Sequence, residues 1–182
     1  SQAWIYKWDN SHLALLMPVK RHHDVESDIF DPMFVDVDGD GALDVVDFRR
    51  GNIGGDDEES PASNSYRLLS LRDGELRVVS PLDLVFATVR NAGPPAPVTE
   101  PFSVSNPGAG RVLVLVNGDA QGKHRVSSAV VTVNGQDLIT ERTLNQGIAR
   151  VEVPVVLKQD NTITAKLTGA PAGQILIVIM RR

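Results

Sequence analysis

Short runs of alternating apolar and polar residues, each closed by a turn-forming pair, recur along the whole of this 182-residue chain. Trp4, Tyr6 and Trp8 stand two apart and so share one face of an extended segment. Asp9-Asn10-Ser11 supplies a turn, and residues 13–16 return as a second strand. Val45, Val46 and Phe48 predict a third. Residues 66–71, then Asp73-Gly74, then residues 76–79 read as a hairpin. Further on, residues 111–116 end at Asn117-Gly118, residues 126–133 at Asn134-Gly135, and residues 148–157 near Asp160-Asn161. Residues 163–167 run into Gly169-Ala170-Pro171-Ala172-Gly173, and residues 175–180 form the last apolar run. Turn signals at this spacing suit a sandwich. No helical period is sustained anywhere, so the pattern predicts an all-β chain.

The clearest break is Asn91-Ala92-Gly93-Pro94-Pro95-Ala96-Pro97, continued by Pro101 and Asn106-Pro107-Gly108. Proline fixes φ and removes a donor, so this stretch is expected to run extended as a semi-rigid spacer. The expected organisation is a first region over residues 1–90, a Pro-rich linker over 91–107 and a sandwich over 108–182. Charge divides in the same place. Residues 1–91 hold 9 Lys/Arg against 17 Asp/Glu, a net of −8, and residues 92–182 hold 9 against 6, a net of +3, which together give −5. So acidic a first half argues against nucleic-acid binding there. The chain has no cysteine, which excludes disulfides, thiolate metal sites and thiol catalysis. No apolar run is long enough for a membrane-spanning helix. The first residues lack the basic-then-apolar pattern of a signal peptide, so the chain is expected to be mature or cut from something longer.

Chemistry concentrates in Asp36-Val37-Asp38-Gly39-Asp40-Gly41-Ala42-Leu43-Asp44. Carboxylates this dense repel one another unless a cation neutralises them. The oxygens fit a calcium loop, with Asp36, Asp38, Asp40 and Asp44 at places one, three, five and nine and the Ala42 carbonyl at seven. Gly41 falls where the chain must turn sharply. Calcium is abundant outside cells, which points to an extracellular, cell-surface or periplasmic setting.

The phrase Phe34-Val35-Asp36-Val37-Asp38-Gly39-Asp40-Gly41-Ala42-Leu43-Asp44-Val45-Val46 resembles the FG-GAP/VCBS repeat, which forms blades of integrin-type β-propellers and of many secreted bacterial proteins. Strand-like Trp4-Ile5-Tyr6-Lys7-Trp8-Asp9 before it, and Tyr66-Arg67-Leu68-Leu69 with Asp73-Gly74 after it, extend the likeness over roughly residues 1–80. The resemblance implies that Asp36, Asp38, Asp40, the Ala42 carbonyl and Asp44 hold Ca2+. A propeller closes with at least about four blades, whereas this chain carries one such phrase. The resemblance therefore implies the end of a longer propeller protein, or else a lone blade-like sheet packed on the second domain. Residues 108–182 resemble the Ig-like β-sandwich module found at the ends of secreted and surface bacterial proteins. The matching words are Val116-Asn117-Gly118, Arg125-Val126-Ser127-Ser128-Ala129, Val133-Asn134-Gly135 and Asn161-Thr162-Ile163-Thr164. Such modules serve as spacers or contact surfaces, and the resemblance implies no catalytic residue. The expected fold is thus a calcium-loop, blade-like antiparallel sheet followed by an Ig-like sandwich.

Other clusters are weighed against this reading. Asp47 falls at place twelve, as in an EF-hand or dockerin loop, but the usual Glu is absent there. Arg49-Arg50-Gly51-Asn52 would stop a helix at once, and no second loop exists. Gly54-Gly55-Asp56-Asp57-Glu58-Glu59 reads as a solvated excursion. His22 and His23 point to opposite sides of an extended chain, so they do not chelate one ion with Asp24, Glu26 and Asp28. Ser127-Ser128 near His124 lacks a nucleophile-elbow context, and the loop aspartates are committed to metal rather than to acid–base hydrolysis. The expectation is a non-catalytic calcium-stabilised module for adhesion, recognition or scaffolding, with a surface protein or polysaccharide as partner. The alternatives are a carbohydrate-binding accessory domain of a polysaccharide-degrading enzyme, stacking sugars on Trp4, Tyr6 and Trp8, or a dockerin-like protein-docking module.

Overall fold

A computed structural model describes residues 2–9, 12–20, 33–41, 44–49, 65–72, 75–119 and 122–181. Among these residues there is no helix, and every paired strand is antiparallel. The fold is all-β. The strands are β1 (Gln2–Asp9), β2 (His12–Lys20), β3 (Met33–Val35), β4 (Asp44–Arg49), β5 (Ser65–Arg72), β6 (Glu75–Val89), β7 (Pro97–Ser103), β8 (Arg111–Asn117), β9 (Ser128–Val133), β10 (Gln136–Ile139), β11 (Arg150–Val155), β12 (Asp160–Thr168) and β13 (Gln174–Arg181). β1 and β2 pair as a hairpin of their own. The remainder form a four-stranded sheet, β10-β9-β12-β7, and a seven-stranded sheet, β11-β8-β13-β6-β5-β4-β3.

The two larger sheets pack face to face because each offers a period-two apolar set. Ala129, Val131 and Val133 from β9 and Ile163, Ala165 and Leu167 from β12 meet Leu113 and Leu115 from β8 and Ile175, Ile177 and Ile179 from β13. Phe86, 1% exposed, completes this core from β6. The other face of the seven-stranded sheet is apolar as well. Val112, Val114 and Val116 with Leu176, Val178 and Met180 join Val46, Leu68, Leu82 and Val37 in a second core. β8 and β13 are therefore covered on both sides, which explains why they read as unbroken apolar runs rather than as alternation.

β6 carries the seven-stranded sheet from one half of the chain to the other, pairing with β5 on one side and β13 on the other. Two irregularities bend it. Its register slips at Val79 opposite β5 and at Asp83 opposite β13. One extra residue reverses which face the following side chains meet. Leu82 accordingly enters the second core, while Leu84 enters the first. Asp83, at the second slip, accepts a 2.7 Å bond from the Nε of buried Arg111, and Arg181 approaches its other oxygen at 3.8 Å.

The Pro-rich segment is extended, but its second half does more than span a gap. Pro97–Ser103 is β7, an edge strand paired with β12. Pro97 and Pro101 are four apart, so both ring nitrogens face the same way. An edge strand has one side that needs no ladder donor, and so it tolerates proline. Asn117, at the end of β8, ties three loops together. Its Oδ1 accepts the N–H of Val126 at 2.9 Å, and its Nδ2 faces the carbonyls of Val126, Asn145 and Ile148 at 3.4, 3.2 and 3.1 Å.

Candidate metal centre

β3 and β4 pair with Val35 opposite Asp44, so the acidic stretch is the connection between two adjacent strands at the end of the large sheet. The loop is fixed by its own side chains. Asp36 Oδ1 accepts the N–H of Gly39 at 2.7 Å and its Oδ2 that of Gly41 at 3.1 Å. Asp38 Oδ1 accepts the N–H of Asp40 at 3.2 Å. Folding the chain back on itself in so few residues puts Gly39 and Gly41 at φ of 81° and 86°, a region that residues with a Cβ enter at a cost. Val37, fully buried, anchors the loop in the second core, while Asp36, Asp38 and Asp40 turn outward.

The outcome is convergence: one carboxylate oxygen from each of Asp36, Asp38 and Asp40 lies within 4.8 Å of the other two. Oxygens on opposite sides of a calcium ion, each bound at about 2.4 Å, stand about 5 Å apart, so this grouping needs no contraction to take that ion. The donors are hard oxygens throughout, a set that suits hard divalent cations such as calcium and does not suit thiophilic or imidazole-seeking metals. Asp36 spends two of roughly four acceptor sites on backbone donors and retains others for an ion. The donor set therefore fits the cation.

Asp44 does not join that group. Its carboxylate is fully buried, and its Oδ2 accepts the N–H of Val37 at 2.9 Å and that of Asp38 at 3.3 Å. Burial pushes its pKa up. The Ser70 hydroxyl and the two amides pull it back down, and the charge of Asp38 raises it further. Ser70 is the cross-strand partner of Asp44. Yet neither Ser70 Oγ nor Asp44 Oδ1 has a partner of regular hydrogen-bond geometry, so their influence on each other is electrostatic rather than that of a formed bond. Ala42, the remaining expected ligand, lies outside the described residues, as do His22, His23, residues 56–59 and the side chains of Asp47, Trp4, Tyr6 and Trp8.

One residue that the loop's own sequence does not announce stands beside it. Arg150, the first residue of β11, donates from Nε to the carbonyl of Val37 at 2.8 Å and from Nη2 to Glu152 at 2.8 Å. Its guanidinium also lies against Gly39, where a Cβ would sit 3.5 Å from Nη1. β11 and β3 are the opposite ends of the seven-stranded sheet. Laid flat, seven strands would hold their outermost members about 29 Å apart. The bond from Arg150 to the residues just past β3 therefore requires the sheet to coil back on itself, enclosing the second core. No local pattern could have signalled this contact, because 113 residues separate its partners.

Among the described residues no helix is long and apolar enough to cross a membrane. No family model matches the chain, and the search of curated proteins found no relative.

Proposed function

We propose that this chain is a non-catalytic, calcium-stabilised β module of a secreted or cell-surface protein, acting in adhesion, recognition or scaffolding. The observation that carries the reading is the grouping of Asp36, Asp38 and Asp40 within 4.8 Å at the corner of a sheet. The loop's resemblance to the FG-GAP/VCBS phrase supports it. Asp36, Asp38 and Asp40 would hold the ion, with the Ala42 carbonyl and Asp44 as the further ligands that the resemblance implies. When bound, the ion supplies the positive charge that lets these carboxylates stand together. The protein's own part is to hold the oxygens in place: Asp36 through the amides of Gly39 and Gly41, Asp38 through that of Asp40, and Asp44 through those of Val37 and Asp38.

Binding adds to folding stability because the unfolded chain has no such grouping. Affinity of about 10⁻⁴–10⁻³ M would match calcium outside cells. Isothermal titration of the metal-free protein with calcium chloride tests this directly. One site in that range is expected, weakened at least tenfold in Asp38→Ala. A flat titration at millimolar calcium would end the reading.

A further inference from the structure

The peptide group between Val37 and Asp38 lies between the candidate ligands Asp36 and Asp38 in the chain and leads directly into the second, and it is held at both ends. Its N–H donates to Asp44 Oδ2, and its carbonyl accepts from Arg150 Nε. Asp44 belongs to β4, next to the end strand β3 of the seven-stranded sheet, and Arg150 to β11, at the opposite end. The same guanidinium borders Gly39, whose N–H is bound by Asp36, and is tethered through Nη2 to Glu152 on β11. β11 has one ladder partner, β8, with Arg150 opposite Val116. Among the described residues it has no ladder partner on its other edge, where the side chain of Arg150 reaches the acidic loop.

We infer that Arg150 is a positioning residue that couples the acidic loop to edge strand β11, so that calcium held by the loop also secures the β11–β8 ladder. The inference rests on the calcium reading. A loop closed around the ion fixes the Val37 carbonyl and the Gly39 backbone. A fixed carbonyl is a better-placed acceptor for Arg150, and a seated Arg150 holds the start of β11 against its neighbour. Linkage makes the effect reciprocal: whatever secures β11 tightens calcium binding. β9 and β12 form no ladder with β11 or with the strands that carry the loop, and they serve as an internal reference.

Amide hydrogen exchange on the full 182-residue chain, in saturating calcium chloride and in chelator, tests the inference alongside calcium titration. In the unaltered protein, calcium should slow exchange in β11 on the order of tenfold, a coupling of ordinary size. Exchange in β9 and β12 should change far less. Arg150→Met removes the donor. Arg150→Lys keeps the charge but cannot serve Val37 and Glu152 together, and it stands in should the Met variant fold poorly. Both should still take up calcium, with exchange in β11 no longer responding to it. The inference is overturned if either folded variant retains the calcium-dependent slowing in β11, or if the unaltered protein binds calcium without that slowing. Absence of binding heat in the unaltered protein would fell the calcium reading itself, and this inference with it.

Discussion

Arg150 Nε stands 2.8 Å from the carbonyl oxygen of Val37, joining the two extremities of a seven-stranded sheet. That single bond sets the acidic loop against the body of the protein. A loop anchored in this way has less to lose on ordering around an ion than one hanging free, because part of its conformational entropy is already spent.

Calcium should raise the melting temperature. At ten times the dissociation constant, binding contributes about 1.4 kcal/mol, or roughly 3–6 °C for a chain of this size. In Asp38→Ala, with affinity weakened at least tenfold, the shift between calcium and chelator should shrink to about 2 °C or less. Differential scanning calorimetry measures both, and coincident curves for the unaltered protein would count against a metal role.

Asp44 separates two roles that its position combines. Its pKa is raised by burial, so the folded protein binds the proton more readily than the unfolded chain does. The stability this gives is present at acid pH and is lost as pH rises from the ordinary carboxylate value through the raised one. Above that window, Asp44→Asn removes a buried charge while keeping an oxygen for the amides of Val37 and Asp38. In chelator at pH 7 the variant should be at least as stable as the unaltered protein, with the difference closing on acidification. Its calcium affinity should fall, and an unchanged affinity would remove Asp44 from the proposed ligands. Denaturant melts across pH, with and without calcium, read both effects.

Asp83→Ala should be among the most damaging single changes, because it leaves the guanidinium of Arg111 buried without its carboxylate. Breaking a buried pair in this way costs about 3–5 kcal/mol, which corresponds to a fall of roughly 6–20 °C in melting temperature. Asp83→Asn, which keeps an acceptor, should cost less. Urea unfolding of the two variants gives the comparison.

Asn117→Ala should destabilise by about 1–3 kcal/mol for the orphaned Val126 amide alone. Asn117→Asp should fare no better. It keeps the acceptor for Val126 but turns a carboxylate oxygen toward the carbonyls of Asn145 and Ile148. Chemical denaturation of both variants distinguishes a hydrogen-bonding role from simple filling of space.

The strands were legible wherever one face is wet, because alternation then survives in the sequence: β9 and β12 show it plainly. They were also legible at Asn134-Gly135, where both residues take positive φ in the two-residue turn between β9 and β10. The full length of β6 was not. Its slips at Val79 and Asp83, with Pro81 between, scramble the period, so the pattern stops near residue 79 although the strand runs to Val89. β7 was hidden by its prolines, which an edge strand tolerates and an interior one does not. Of the candidate site, the convergence of Asp36, Asp38 and Asp40 follows from their spacing around Gly39 and Gly41. The inward turn of Asp44 follows from its place in β4, and the arrival of Arg150 follows from coiling of the whole sheet. Neither is written in the nine residues of the loop.

β13 forms a wall of both apolar interiors, sending Ile175, Ile177 and Ile179 to one and Leu176, Val178 and Met180 to the other. A ribosome making this chain therefore cannot release a finished half early. Until residues 174–181 have emerged, neither apolar interior can close, and the strands already made that line them stay exposed to solvent and to mispairing.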